Sequence, residues 1–215
     1  MYTFENEKLF INENKIKEII NEVGDTKIVA ATKYIIPEKI KDLYDLGIKD
    51  FGENRVDSFI RKKFVNRDLS CQWHFIGHLQ RNKAKDIIND IDYLHSLDSL
   101  ELCKVIDKYR TTPLDCFVEI KMIKDSNKNG VLIDELDSFI DEASKYKNIN
   151  IIGLMAMTEP EMTNDEKKNL FKIVHDKGIT LNLKNFSMGM SDDYKEAIES
   201  GSTHIRLGRI LYKDW

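Results

Sequence analysis

Eight short apolar runs alternate with amphipathic stretches along this chain, and that rhythm limits the possible folds more than any other feature. The runs cover residues 27–33, 48–54, 72–77, 92–97, 114–120, 151–157, 185–190 and 204–207. Cores such as Ile28-Val29-Ala30-Ala31 suit strands covered on both faces, as in parallel sheets. Helical patterns fall between them, over residues 37–46, 55–63, 80–89, 99–109, 134–146, 164–177 and 192–200, with a loop around 127–130. Pro37 suits a first helical turn, Thr163 or Asn164 a cap, and Gly47 and Gly201 helix stops. One more helix is expected before the first strand, over residues 5–22, stopped by Gly24. Eight strand–helix units in 215 residues predict a (β/α)₈ TIM barrel, a single domain over residues 1–215. Trp215 follows strand eight too soon for a long closing helix, so the N-terminal helix is expected to cover that gap. A doubly wound open sheet is the alternative, but it calls for a GxGxxG turn after the first strand, and residues 32–37 hold no glycine. No internal repeat or Pro/Gly/Ser-rich linker divides the chain.

Composition narrows the class of function. Lysine and arginine number 33 against 37 acidic residues, a formal charge of -4, and no long basic run offers a nucleic-acid surface. Arg61-Lys62-Lys63 reads as the solvated face of a helix. The first residues lack a basic start leading into an apolar run, and no apolar stretch is long enough to span a membrane. Cys71, Cys103 and Cys116 are odd in number and lack CxxC spacing, which argues against a disulfide framework or structural zinc. A soluble, cytoplasmic protein is expected.

Barrel sites are built at the C-terminal ends of the strands. There the chain places Lys33, Asn54, Gly77-His78, Ser96, Asp98, Glu119, Met155, residues 187–191 and residues 206–209. Lys33 follows a fully apolar run; held partly desolvated on a strand end and near Arg206, it would present a neutral amine able to form an imine. Ser191 falls where a helix is expected to begin, with unpaired amides and a dipole that favours an anion. Gly208 allows another backbone to approach that anion, and Arg206 adds a fixed charge. An amine facing an anion seat suits an aldehyde that carries a phosphate, and pyridoxal phosphate is the obvious candidate. Met155, Met157, Met188 and Met190 at strand ends suit core packing or the edge of a ring-shaped pocket. His74 and His78 are four apart but lack the glutamate of HExxH, so no metal is assigned. His95 reads as a core histidine, and Asp192-Asp193 as capping residues.

KIVAATK (27–33), FGEN (51–54), WHFIGHLQ (73–80) with Asn82-Lys83, HSLDSL (95–100), GLM (153–155), SMGMS (187–191) with Asp193, and IRLG (205–208) together resemble the pyridoxal phosphate homeostasis proteins. The resemblance spans essentially the whole chain; WHFIGHLQ and SMGMS are its most specific parts. It implies a barrel similar to the N-terminal domain of alanine racemase, carrying pyridoxal 5'-phosphate as a Schiff base with Lys33. It also implies Asn54 near the cofactor, Ser191 with the amides of Gly208 and Arg209 at the phosphate, and Arg206 facing the pyridine nitrogen. The candidate cofactor-binding set is Lys33, Asn54, Met155, Ser187, Met190, Ser191, Arg206, Gly208 and Arg209. Tyr34 stands where a threonine is common, and Arg209 where a small residue is.

An arginine at the pyridine nitrogen keeps the ring neutral and a poorer electron sink. Racemisation then also needs a second base opposite Lys33, which in alanine racemase comes from a further domain of the partner subunit; here only a residue such as His78 could stand in. The expectation is therefore a monomeric protein that holds pyridoxal phosphate and hands it to apo-enzymes, without turnover. The alternatives are a pyridoxal-phosphate-dependent amino-acid racemase and a sugar-phosphate enzyme using Lys33 without a cofactor.

Overall fold

The structure is a computed structural model and describes residues 9–122 and 129–213. Eight parallel strands follow the apolar runs: β1 Lys27–Ala31, β2 Asp50–Glu53, β3 Gln72–Phe75, β4 Tyr93–Leu97, β5 Leu114–Lys121, β6 Ile149–Met155, β7 Asn185–Ser187 and β8 His204–Leu207. Each pairs with the next in sequence, and the pairing of β8 with β1 (Arg206 opposite Val29, Leu207 opposite Ala30) closes the ring. This is the (β/α)₈ barrel that the alternation predicts.

Period-two alternation divides each strand between two environments. Ala30, Phe51, Trp73, Phe75, Leu94, Val118, Leu154, Phe186, Ile205 and Leu207 belong to the main apolar core, with Ile40, Leu43, Phe59, Leu102, Ile106, Phe139 and Phe171 from the helices. The alternate positions meet inside the barrel, where the rings of His204 on β8 and Phe117 on β5 lie 5.1 Å apart although those strands are not neighbours. Polar residues share this interior: His74, His95, Ser187, His204 and Arg206 are all buried. Gly153 on β6 lets β7 come close, since a Cβ there would lie 1.8 Å from the Asn185 carbonyl oxygen of β7.

The helices are α1 Glu13–Glu22, α2 Ile40–Asp45, α3 Val56–Val65, α4 Arg81–Ala84, α5 Leu100–Tyr109, α6 Leu136–Ala143, α7 Asn164–Thr180 and α8 Tyr194–Glu199. Several are shorter than the sequence suggests. Residues 37–46 divide into a 3₁₀ turn, Pro37–Lys39, and α2. The stretch 80–89 gives only the single turn α4 followed by irregular turns. The first helix starts at Glu13 because Phe10–Ile11 pairs instead with Tyr212–Lys213 in a small antiparallel ribbon, and the Asn12 side chain caps the Lys15 amide at 3.3 Å. Residues 5–8 of that expected helix, and residues 127–128 of the expected 127–130 loop, lie outside the described residues. Thr163 caps α7 through a capping box with Glu166.

Lys62 corrects the expected solvated face. It is fully buried under β1 and β2, where its Nζ donates to the Thr32 carbonyl at 2.6 Å and lies 3.4 Å from Glu53 Oε1. Only one side of α3 faces solvent, and Lys62 falls on the other, beside buried Phe59. No helix among the described residues is long and apolar enough to cross a membrane.

Candidate cofactor site at the upper mouth of the barrel

Lys33 sits in the turn two residues beyond the end of β1. Its flanking backbone is held from three directions. The Tyr212 hydroxyl donates to the Ala31 carbonyl at 3.1 Å, the Thr32 amide donates to the Gly52 carbonyl at 2.9 Å, and Lys62 donates to the Thr32 carbonyl. Burial pushes the Tyr212 hydroxyl far up, reinforced by the nearby Glu53 carboxylate, so it stays a neutral donor. The Lys33 side chain itself is exposed, with Nζ 4.6 Å from the centre of the Tyr34 ring. Partial desolvation is therefore not what distinguishes it; the fixed backbone is.

The neighbouring strand end carries the anion seat. Ser191 Oγ accepts from the amides of Gly208 at 3.3 Å and Ile210 at 3.4 Å, so two amides converge on one small polar group at the start of a 3₁₀ turn. Ser191 is not the start of a helix. The cap of α8 is Asp193, whose Oδ1 accepts from the Met190 amide at 2.6 Å and whose Oδ2 accepts from Thr158. The seat thus rests on the turn after β8, not on the dipole of a six-residue helix. Gly189 closes the SMGMS loop at φ +92, where an added Cβ would meet the Cβ of Ala197 at 2.6 Å.

Arg206 lies deeper than either. Its Nη1 donates to the Ser187 carbonyl at 2.5 Å and to Ser187 Oγ at 2.6 Å, and its Nη2 to the Ala156 carbonyl at 3.1 Å. Burial pulls its pKa down to about 10, opposed by Asp193 and Glu119, and the guanidinium remains charged at neutral pH. This places a fixed cation in the floor of the site, bound to the end of β7, while the amides take the position above it.

A separate polar cleft of about 900 Å³ opens beside the ends of β3, β4 and β5, lined by His78, Gln80, Asn82, Asp98, Ser99 and Lys121 among others. His78 Nδ1 lies 3.1 Å from Asp98 Oδ2.

The alanine racemase N-terminal domain pattern matches residues 8–214 of this sequence. A pyridoxal phosphate homeostasis protein of Synechocystis sp. is 36% identical over 200 residues, covering 87% of this chain and 91% of its own. This chain belongs to the pyridoxal phosphate homeostasis protein family. Among solved structures, PipY of Synechococcus elongatus superposes with a TM-score of 0.87 without PLP and 0.83 with PLP bound. It is 28% identical, and the PLP-free form covers 94% of this chain and 99% of its own. Alanine racemase of Corynebacterium glutamicum, 12% identical with a TM-score of 0.75, shares the fold.

Against the family's motifs, the structure brings Lys33, Ser191, Gly208 and Arg209 to adjoining strand ends: β1 and β8 are paired, and a Cβ on Gly208 would lie 3.7 Å from that of Ala31. Ser187 and Met155 are buried beneath them, with Ser187 opposite Met155 in register. Asn54 is exposed just after β2, and Met190 is exposed in the SMGMS loop. The Arg209 side chain turns away to pair with Asp192 on the surface. His74 and His78 find different partners: His74 is enclosed in the barrel against Asp50 and His95, and His78 lies at the cleft. The sequence reading missed Lys62 and Tyr212, which hold the Lys33 turn, and Asp50 and His74, which lie in the barrel interior. Histidines flanked by apolar residues in three separate strands (Trp73-His74-Phe75, Leu94-His95, His204-Ile205) were the available signal.

Proposed function

We propose that this chain binds pyridoxal 5'-phosphate at the upper mouth of its barrel and serves as an intracellular holder and donor of that cofactor. The observation that carries the reading is Ser191 Oγ held by the amides of Gly208 and Ile210, with the Arg209 amide between them in sequence, set beside the turn that fixes Lys33. Successive backbone amides with a hydroxyl suit a phosphate, whose oxygens only accept. Relatives named as pyridoxal phosphate homeostasis proteins and a related structure with PLP bound support it. When bound, the cofactor supplies an aldehyde that condenses reversibly with an amine and a ring that can store electrons.

The residues then divide the work. Ser191 and the three amides seat the phosphate; Lys33 provides the amine at an exposed position from which it can be released again. Arg206, charged and tied to Ser187, keeps a hydrogen-bond donor at the floor of the site and opposes protonation of any basic nitrogen that faces it. An exposed lysine and an open mouth suit exchange of the cofactor with apo-enzymes better than its retention for turnover. In this reading the protein acts in the cytoplasm, as a monomer.

Binding is tested by titrating the purified chain with pyridoxal phosphate and following its visible absorption. Saturable absorption that is lost in Lys33→Ala is expected; equal spectra in both proteins contradict the assignment. Turnover is tested by incubating the loaded chain with single L-amino acids in deuterated water. Exchange of the Cα hydrogen, or a D-isomer, at useful rates would replace the carrier by a racemase.

A further inference from the structure

The barrel interior holds polar groups that the cofactor site does not account for. From the lower mouth upward, Asp50 Oδ1 lies 2.9 Å from His74 Nε2, and His74 Nδ1 lies 2.9 Å from His95 Nε2. His95 Nδ1 lies 2.7 Å from Ser187 Oγ, which in turn accepts from Arg206 Nη1 at 2.6 Å. The five residues come from β2, β3, β4, β7 and β8, so the series crosses the barrel from the start of one strand to the ends of others.

The two ends determine the direction of every link. A guanidinium can only donate and an ionised carboxylate can only accept. Ser187, accepting from Arg206, has its own hydrogen free for His95 Nδ1. His95 therefore carries its hydrogen on Nε2 and donates to His74 Nδ1, and His74 carries its own on Nε2 and donates to Asp50. Both rings are then neutral, as complete burial favours: burial lowers His74 and lowers His95 well below the ordinary value. At the lower end, burial raises the Asp50 carboxyl, but the His74 hydrogen bond and the charge of Lys27 oppose that, and the carboxyl is held below its ordinary value. Lys27 Nζ stands 3.7 Å from Asp50, and His204, in the same interior, bonds Thr203 instead.

We propose that Asp50, His74, His95 and Ser187 form one directional hydrogen-bonded series through the barrel, by which Asp50 at the lower mouth acts as a positioning residue for Arg206 at the upper one. Ser187 presents its strongest acceptor to Arg206 only while His95 takes the serine hydrogen. In the opposite tautomer, Ser187 Oγ would receive hydrogens from both sides and be a shared, weaker acceptor for Arg206, which would keep only its bonds to the Ser187 and Ala156 carbonyls at full strength. The orientation belongs to the protein alone; its effect on the cofactor rests on the reading of the site given above.

Long-range ¹⁵N–¹H spectra of the histidine-labelled protein without cofactor test the orientation. His74 and His95 are both expected as neutral Nε2–H tautomers at pH 7; an Nδ1–H tautomer or an imidazolium at either position overturns the proposal, whatever the variants do. Asp50→Ala then tests the link to Arg206, with folding checked by circular dichroism. Its His74 and His95 resonances should lose their single tautomer, and release of bound pyridoxal phosphate should quicken roughly five- to tenfold, the worth of one ordinary hydrogen bond. His204→Gln, which removes a buried ring that bonds Thr203 and not the series, should keep both Nε2–H tautomers and leave release within about twofold of native, a margin below the worth of one hydrogen bond. A folded Asp50→Ala protein that keeps native tautomers, or native release, overturns the link. Failure of the native protein to bind pyridoxal phosphate would instead refute the site assignment and leave the tautomer result standing.

Discussion

Lys33 owes its usefulness to groups that touch its neighbours, not to its own surroundings. Tyr212 on the Ala31 carbonyl and Lys62 on the Thr32 carbonyl hold the backbone while the lysine side chain stays in solvent. Lys62→Met should strip Glu53 of a buried cationic neighbour and destabilise the fold by about 3–5 kcal/mol, read by urea unfolding. A loss below about 1 kcal/mol would mean that the buried pair is incidental. In the proposed site, Ser191→Ala would remove a charge-assisted hydrogen bond to the phosphate. Retention of pyridoxal phosphate should weaken by about 1.5–3 kcal/mol, roughly ten- to a hundredfold, with the fold intact. Unchanged affinity would put the phosphate elsewhere. The places of Lys33, Ser191, Arg206 and Gly208 in the fold were legible because each stands near a strand end. Lys62 was not: a run of three basic residues looks solvated until one knows which side of α3 packs on the barrel. Asp50 and His74 were not either, since a series linking five strands exists only once the ring has closed.

Among the elements, strands were easier to recognise than helix limits. Each apolar run became a strand, because a segment buried on both faces has little freedom to be anything else. Helix starts were decided by side chains whose partners lie far off in sequence. The Asp192–Asp193 pair looks like a first turn, but Asp193 spends its carboxylate on Met190 and Thr158, so α8 begins only at Tyr194. Phe10–Ile11 leaves its helical pattern because the distant Tyr212–Lys213 offers a strand partner. The close approach of β6 and β7 gives a prediction at this scale. Gly153→Ala would drive a methyl group onto the Asn185 carbonyl and should separate β6 from β7, at a cost of about 3 kcal/mol or more. Because Ser187 ends β7, the variant should also weaken pyridoxal phosphate binding; a native melting temperature would show that the strand contact is looser than described.

For the whole molecule, a barrel with a polar interior carries a consequence for acid stability. His204 is lowered to about 3, chiefly by burial and then by the charges of His74 and Lys27, and His74 and His95 are lowered too. A histidine buried neutral has a folded-state pKa below its unfolded one, so the unfolded chain binds the extra proton and acid favours unfolding. Stability should therefore be full above about pH 6.5, the unfolded histidine value, and fall steadily toward about pH 3. Urea midpoints across that range test this; His204→Gln should flatten the slope, and an unchanged slope would contradict it. The same closed ring brings the turn after β1 beside the turn after β8, and the proposed site needs Lys33 and the Ser191 amide pair to reach a single phosphorylated aldehyde from those two turns. Intact mass after borohydride reduction of the pyridoxal-phosphate-loaded protein tests that pairing most directly. One cofactor adduct in the native protein and none in Lys33→Ala is the predicted result; an adduct that survives in Lys33→Ala would contradict it.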